Sequence, residues 1–137
     1  MSVLAYLTSP AGLRRVLAFD AISGVGTGLL QLTASGPLSA LLGLPESLLR
    51  SSGIAIFAFV ALAGWLAMQR TPPRAGLAVI VICNFAWAIG CLWLALGGAP
   101  GATALGLAYL MVQVVVVAVL AELQWMGMRH SRLAVMA

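Results

Sequence analysis

What this sequence has least of is charge. Only 7% of its residues are Asp, Glu, Lys or Arg, against about 25% in soluble domains. Lysine is absent, and the acids are three: Asp20, Glu46 and Glu122. A soluble chain of 137 residues has no interior large enough for the 63% that are hydrophobic, because small domains bury only part of their apolar surface. The scarcity of charge excludes a water-soluble fold and predicts an integral membrane protein.

Other absences exclude chemistry. The one histidine, His130, lies in the C-terminal tail. No Ser/His/Asp or Cys/His set can form, and haem lacks its usual imidazole ligand. Met126, Met128 and His130 have the softness Cu(I) prefers, but no second set of soft ligands accompanies them. Cys83 and Cys91 form no CxxC motif. On one helix they stand about 12 Å apart, beyond disulfide reach, and they read as buried apolar thiols. No catalytic constellation, cofactor site or metal site is visible, so the expectation is a protein that is not an enzyme.

The net charge of +4 comes from seven arginines scattered between apolar segments. Nucleic-acid binding needs them clustered on one face. Dispersed at segment ends, they are topology signals instead.

What the chain does contain is four long apolar runs. Ser9-Pro10 reads as an N-cap followed by proline at the first helical position. The nine residues up to Ser9 are too short to span and belong at the membrane surface, anchored by Tyr6. Ser35-Gly-Pro37 ends the first helix, and residues 38–44 suit an interfacial turn or half-helix. Pro45-Glu46 starts the second, Arg70-Thr-Pro-Pro-Arg74 separates it from the third, and Gly97-Gly-Ala-Pro-Gly101 makes an uncharged turn. The predicted spans are 13–35, 48–69, 75–96 and 103–126, each near the ~20 residues that cross a bilayer. The acid inside the first run argues against a cleaved signal peptide.

Connections this short predict one all-α domain, an antiparallel four-helix membrane bundle. Arg14, Arg15, Arg70, Arg74, Arg129 and Arg132 fall on one side of it and Arg50 alone on the other. The bias places both termini in the cytoplasm. Trp65 and Trp125 fit the inner aromatic belt, Trp93 and Tyr109 the outer, whereas Trp87 is mid-span and should pack between helices.

The first run carries a polar stripe. Asp20, Ser23, Gly24, Thr27, Gln31 and Ser35 recur at spacings of three and four, so they share one helix face. Within it, Gly24 and Gly28 form a GxxxG step that admits a close neighbour, in the same chain or in a second copy. It is no nucleotide loop, since no strand precedes it. An acid at depth in a membrane is expensive and marks a candidate site. Asp20 either reaches an arginine at the inner edge or serves a ligand or proton. Glu122 lies at similar depth, so the two acids form one site or two separate surface ion pairs. Asn84 and Gln113 lie near mid-membrane with Gln31. Interhelical hydrogen bonding among these three is the economical account, and a polar pocket including Trp87 the sharper one.

The chain resembles a group of uncharacterised small bacterial four-helix inner-membrane proteins. The likeness runs through Phe19-Asp20-Ala21, Leu41-Leu-Gly-Leu-Pro-Glu-Ser-Leu-Leu-Arg50, Asn84-Phe-Ala-Trp87, Gln113 and Ala121-Glu-Leu-Gln124. It implies the same membrane and fold, and carries no activity with it. A weaker similarity, in the arginine-led glycine-bearing first helix and the Gly-Leu-Pro turn, is to DoxX-like membrane proteins. That one implies an association with quinone or thiol redox complexes.

Three functions compete on this reading. The first is a binding or accessory protein for a lipid-like or quinone-like ligand, or for a partner membrane protein. The second is a small oligomeric transporter or channel using Asp20 as its coupling acid. A subunit of a membrane oxidoreductase stands third, for want of visible cofactor ligands.

Overall fold

The protein is described by a computed structural model covering residues 2–136, with side chains described through Arg129. Every regular element among the described residues is helical: α1 (Val3–Leu7), α2 (Pro10–Thr33), α3 (Ser35–Leu42), α4 (Glu46–Met68), α5 (Arg74–Trp93) and α6 (Ala104–Met136). A single π-helical turn, Leu94–Gly98, prolongs α5. Four of these segments, Pro10–Thr33, Glu46–Met68, Arg74–Gly98 and Ala104–Arg129, are long and apolar enough to cross a membrane.

Local chemistry sets the boundaries. Ser9 caps α2, its hydroxyl accepting from Gly12 N at 3.2 Å, with Pro10 in the first turn. Gly43 ends α3 in the left-handed region at φ 70°, where a side chain is strained. Glu46 sits in the first turn of α4, at the positive end of its dipole. Gly97, at φ 133°, breaks the π turn. Thr103 then caps α6, accepting from Gly106 N at 3.1 Å.

The long helices pack as two close pairs, α2 with α4 and α5 with α6, and contacts between the pairs are sparser. Along α2, Arg14 Nε donates to Ala67 O (3.1 Å), Gly24 faces Val60, Gly28 faces Phe57, and Leu32 faces Gly53. A Cβ at Gly24 would lie 2.6 Å from Val60 Cγ2, and one at Gly28 2.9 Å from Phe57 Cε2. The GxxxG step therefore serves a helix of the same chain. Arg14 also supplies a cation to the carbonyl end of α4.

Two apolar clusters hold the ends. Leu13, Leu17, Ala21, Ala63, Leu66, Leu77 and Ile80 form one, near the arginine-rich end. Leu42, Leu44, Leu49, Cys91 and Leu110 form the other. At this second end α3 lies backbone to backbone on α6. Thr103 N donates to Leu42 O (3.0 Å), Thr103 Oγ1 donates to Leu41 O (2.8 Å), and a Cβ on Gly106 would strike the Leu42 carbonyl.

Two segments gain detail, and two expectations are corrected, the end of the last helix and the burial of Cys83. The N-terminal segment is helical over α1, folded against α2 so that Gly12 abuts the Tyr6 carbonyl. Residues 38–44 belong largely to α3, which continues back to Ser35 with only Ala34 between it and α2. The last helix runs on to Met136 rather than stopping at 126. Cys91 is buried, but Cys83 is exposed. The side chains of His130 and Arg132 lie outside the described residues.

The α2–α4 contact yields a direct check. Gly24→Val forces Val60 to move and should cost about 1–3 kcal/mol. Gly26→Ala, where an added Cβ meets nothing within 4 Å, should be neutral or stabilising, since alanine is the better helix former. Thermal unfolding in mild detergent, followed by circular dichroism, separates the two. Equal midpoints for both variants would contradict the packing.

Candidate functional site

The polar stripe of α2 faces the interior, and its members meet partners at separate levels. Asp20 is buried, at 5% exposure. Its Oδ2 accepts from Asn84 Nδ2 of α5 (2.9 Å) and from Gln124 Nε2 of α6 (2.6 Å), while Asn84 Nδ2 also donates to Gln124 Oε1 (2.8 Å). Asn84 and Gln124 are themselves buried, at 4% and 0% exposure. Three polar side chains from three helices thus close one cycle.

Eleven residues further along α2, or about 16 Å by helical rise, stands Gln31. Its Nε2 donates to the Tyr109 hydroxyl (2.7 Å), and its Oε1 accepts from Ser52 Oγ (2.7 Å). A third pair, Trp87 Nε1 to Gln113 Oε1 (2.9 Å), joins α5 to α6. Ser35 closes the far end, accepting from Arg50 Nε (3.1 Å) and donating to Glu46 Oε1 (3.2 Å). Arg50 and Glu46 make the one ion pair among the described residues, at 3.0 Å. Ser23 and Thr27 return their hydroxyls to carbonyls of their own helix, those of Asp20 and Ser23.

Between these levels the two helix pairs part around a cavity of about 900 Å³. Asp20, Ser23, Gly24, Thr27 and Gln31 line it from α2, facing Ser52, Ile56 and Phe59 of α4, Trp87 of α5, and Tyr109 and Gln113 of α6. Its walls are otherwise almost wholly apolar. Ala55, Ala58, Cys83 and Ala86 also line it and are exposed. They lie in the middle of their helices; Gly90, Val112, Val116 and, at the end of α5, Trp93 line it and are exposed too, so the opening runs from mid-span toward the Trp93 end.

The polar groups offered to the cavity differ from end to end. Gln113 Nε2 and the Tyr109 hydroxyl hydrogen have no acceptor among the described residues, and both residues line the cavity. They are donors in reserve. Asp20 Oδ1 has no donor and is an acceptor in reserve.

Sequence reasoning grouped the α2 residues correctly, but several partners differ from expectation. Gln31, Asn84 and Gln113 do not bond to one another: each finds a separate partner, because they lie at different levels. Glu122 is exposed, with no ion pair or hydrogen-bonded side chain among the described residues, and Gln124 takes the place beside Asp20. Among the described residues no arginine reaches Asp20 either. Trp87 packs between helices as expected, whereas Tyr109 turns inward rather than joining an aromatic belt. Ser52, Tyr109 and Gln124 were not singled out as site residues. Tyr109 is four residues before Gln113 and so shares its face, Gln124 belongs to the Ala121-Glu-Leu-Gln124 stretch of the resemblance, and Ser52 has no sequence signal.

No group of three or more His, Cys, Asp or Glu side chains able to hold a metal ion exists among the described residues. The chain matches no protein-family profile, no curated protein and no solved structure.

Removing Gln124 takes one donor from Asp20 and one acceptor from Asn84. Gln124→Leu should lower unfolding stability in bicelles by about 1–2 kcal/mol, near the upper end for hydrogen bonds inside membranes. Glu122→Gln should leave the unfolding curve in place. A loss at residue 122 as large as at 124 would contradict the assignment.

Proposed function

We propose that this chain is a multi-pass protein of the bacterial inner membrane, an antiparallel four-helix bundle with both termini cytoplasmic, that binds a lipid-like or quinone-like molecule between its helix pairs. The observation that carries the reading is the cavity. At about 900 Å³ it falls at the large end of ligand sites, which are typically apolar with a few placed polar groups. Its donors, the Gln113 amide and the Tyr109 hydroxyl, suit the carbonyl oxygens of a quinone or an acyl ester. Its opening runs from mid-span toward Trp93, and its mid-span part faces the hydrocarbon where such a molecule resides. The resemblance of the first helix and the Gly-Leu-Pro turn to DoxX-like proteins points toward the quinone.

The orientation rests on six arginines against one across the predicted spans. Green fluorescent protein fused after Ala137 should fluoresce, and alkaline phosphatase fused there should be inactive. The opposite pair of results would place the C-terminus outside.

Ligand binding is tested with decylubiquinone and a variant in which Trp65, Trp93 and Trp125 are replaced by Phe, so that only Trp87 emits. Quenching should saturate with added quinone. Gly90 lines the cavity, and a Cβ there meets nothing within 4 Å, so Gly90→Phe is chosen to narrow the space, with circular dichroism checking that the variant is folded. The substitution should weaken the apparent affinity at least tenfold. Linear, unsaturable quenching that is identical in both proteins would refute ligand binding in the cavity.

A further inference from the structure

The polar stripe has one group that the quinone-like reading leaves idle. Carbonyl and ester oxygens are acceptors, and so is Asp20 Oδ1, so a head group that suits Gln113 and Tyr109 has nothing to offer the acid. Asp20 is 5% exposed, lines the cavity, and presents both of its amide contacts on Oδ2. Its other oxygen lacks any partner among the described residues.

The six arginines among the described residues do not supply one. Arg14 is spent on the Ala67 carbonyl, Arg15 stacks on Tyr6 (5.8 Å to the ring centre), Arg50 pairs with Glu46, and Arg129 stacks on Trp125 (5.2 Å). Arg70 and Arg74 are exposed at the α4–α5 connection and make no ion pair with Asp20. A carboxylate left alone in apolar surroundings is costly, and a cation brought beside it removes much of that cost. Little water is present to screen the attraction.

We infer that the Asp20 end of the cavity binds the head of an organic monocation, a positively charged nitrogen carried on an apolar body. This rests on the reading of the cavity as a binding site and adds the charge of what enters it. The apolar walls take the body, and Asp20 Oδ1 takes the charge. The aromatic faces of Phe59 and Trp87 line the same space and favour cations over anions. An anion of the same size finds the Gln113 and Tyr109 donors but no cation, and is repelled by the acid.

Two ions of matched size and opposite sign, tetraphenylphosphonium and tetraphenylborate, test this by equilibrium dialysis against the protein in dodecyl maltoside. The phosphonium should bind the wild type at least tenfold more tightly than it binds Asp20→Asn, a variant that keeps an acceptor for Asn84 and Gln124. The borate should bind the variant as well as or better than the wild type. Phosphonium binding unchanged by Asp20→Asn overturns the inference. If the variant does not fold, the wild type decides alone, since tighter binding of the borate overturns it. Decylubiquinone is measured in parallel: saturable quinone binding with no preference for the phosphonium rejects the charge assignment only, whereas failure of all three probes rejects the cavity as a site. Competition then separates two natural sources of the cation. Displacement by phosphatidylethanolamine marks a lipid head group, and displacement by dodecylamine alone marks a free amine.

Discussion

Inside a bilayer there is no water to complete the hydrogen bonds of a buried polar group, so every such group must find its partner in protein. Asp20 is where that constraint bears hardest. Its carboxyl is held by one amide from α5 and one from α6, and those two amides hold each other. The cycle is thus a tie between the α2–α4 pair and the α5–α6 pair, which otherwise touch sparingly. A second tie, Gln31 to Tyr109, joins them about 16 Å further along α2. Between the two ties the helices are free to separate, and the cavity opens in that interval and continues past Gln31 toward Leu44, Leu48 and Leu94. Each hydrogen bond contributes about 0.6 kcal/mol on average in a membrane. Their larger effect is geometric, fixing the levels at which the pairs meet.

Within each pair, close packing does the holding. Gly24, Gly28 and Gly53 let α2 and α4 approach until side chains of one rest on the backbone of the other. Gly43 and Gly106 do the same where α3 meets α6. Apolar clusters then lie toward the two ends, one around Leu17 and Leu66, the other around Leu49 and Leu110. Association of helices in lipid depends on this kind of contact, since hydrocarbon competes well with any loose apolar surface. The first cluster closes the arginine-rich end, whereas Leu44, Leu49, Cys91 and Leu110 of the second form part of the cavity wall, so the free volume runs from the level of Asp20 to that second cluster.

The sequence was informative wherever a signal repeats along one helix. Asp20, Ser23, Gly24, Thr27 and Gln31 share a face by spacing alone, and all five line the cavity. Ser9-Pro10, Gly43 and Pro45 mark helix ends through chemistry local to each turn. What spacing does not give is rotation of one helix relative to another. Glu122 and Gln124 differ by about 200° around α6, and in a helix apolar on every side no hydrophobic face says which of them points inward. The acid drew the prediction, yet the amide sits beside Asp20 and the acid faces outward. Tyr109 illustrates the same blindness, because its height suits an aromatic belt equally well, and only the position of Gln31 across the gap turns it inward. The route of α1 back onto Gly12 and the extension of α6 to Met136 depend on short polar segments with no periodic pattern to read.

The packing around Asp20 also constrains how anything reaches it. Leu13, Leu17 and Leu66 fill the space on the arginine-rich side of the acid, so a path from water at that end crosses a packed apolar layer. The exposed lining residues run instead from Ala55, Ala58, Cys83 and Ala86, halfway along their helices, to Trp93 at the end of α5. An apolar molecule dissolved in the hydrocarbon can enter sideways along that opening. Small hydrated ions are therefore poor candidates even for a carboxylate with a free oxygen, since they leave water at great cost and find only one charged partner. An apolar body carrying a single delocalised or shielded charge meets both conditions, entry through lipid and compensation at the acid. The arginines held at Ala67, Tyr6, Glu46 and Trp125 keep that acid available.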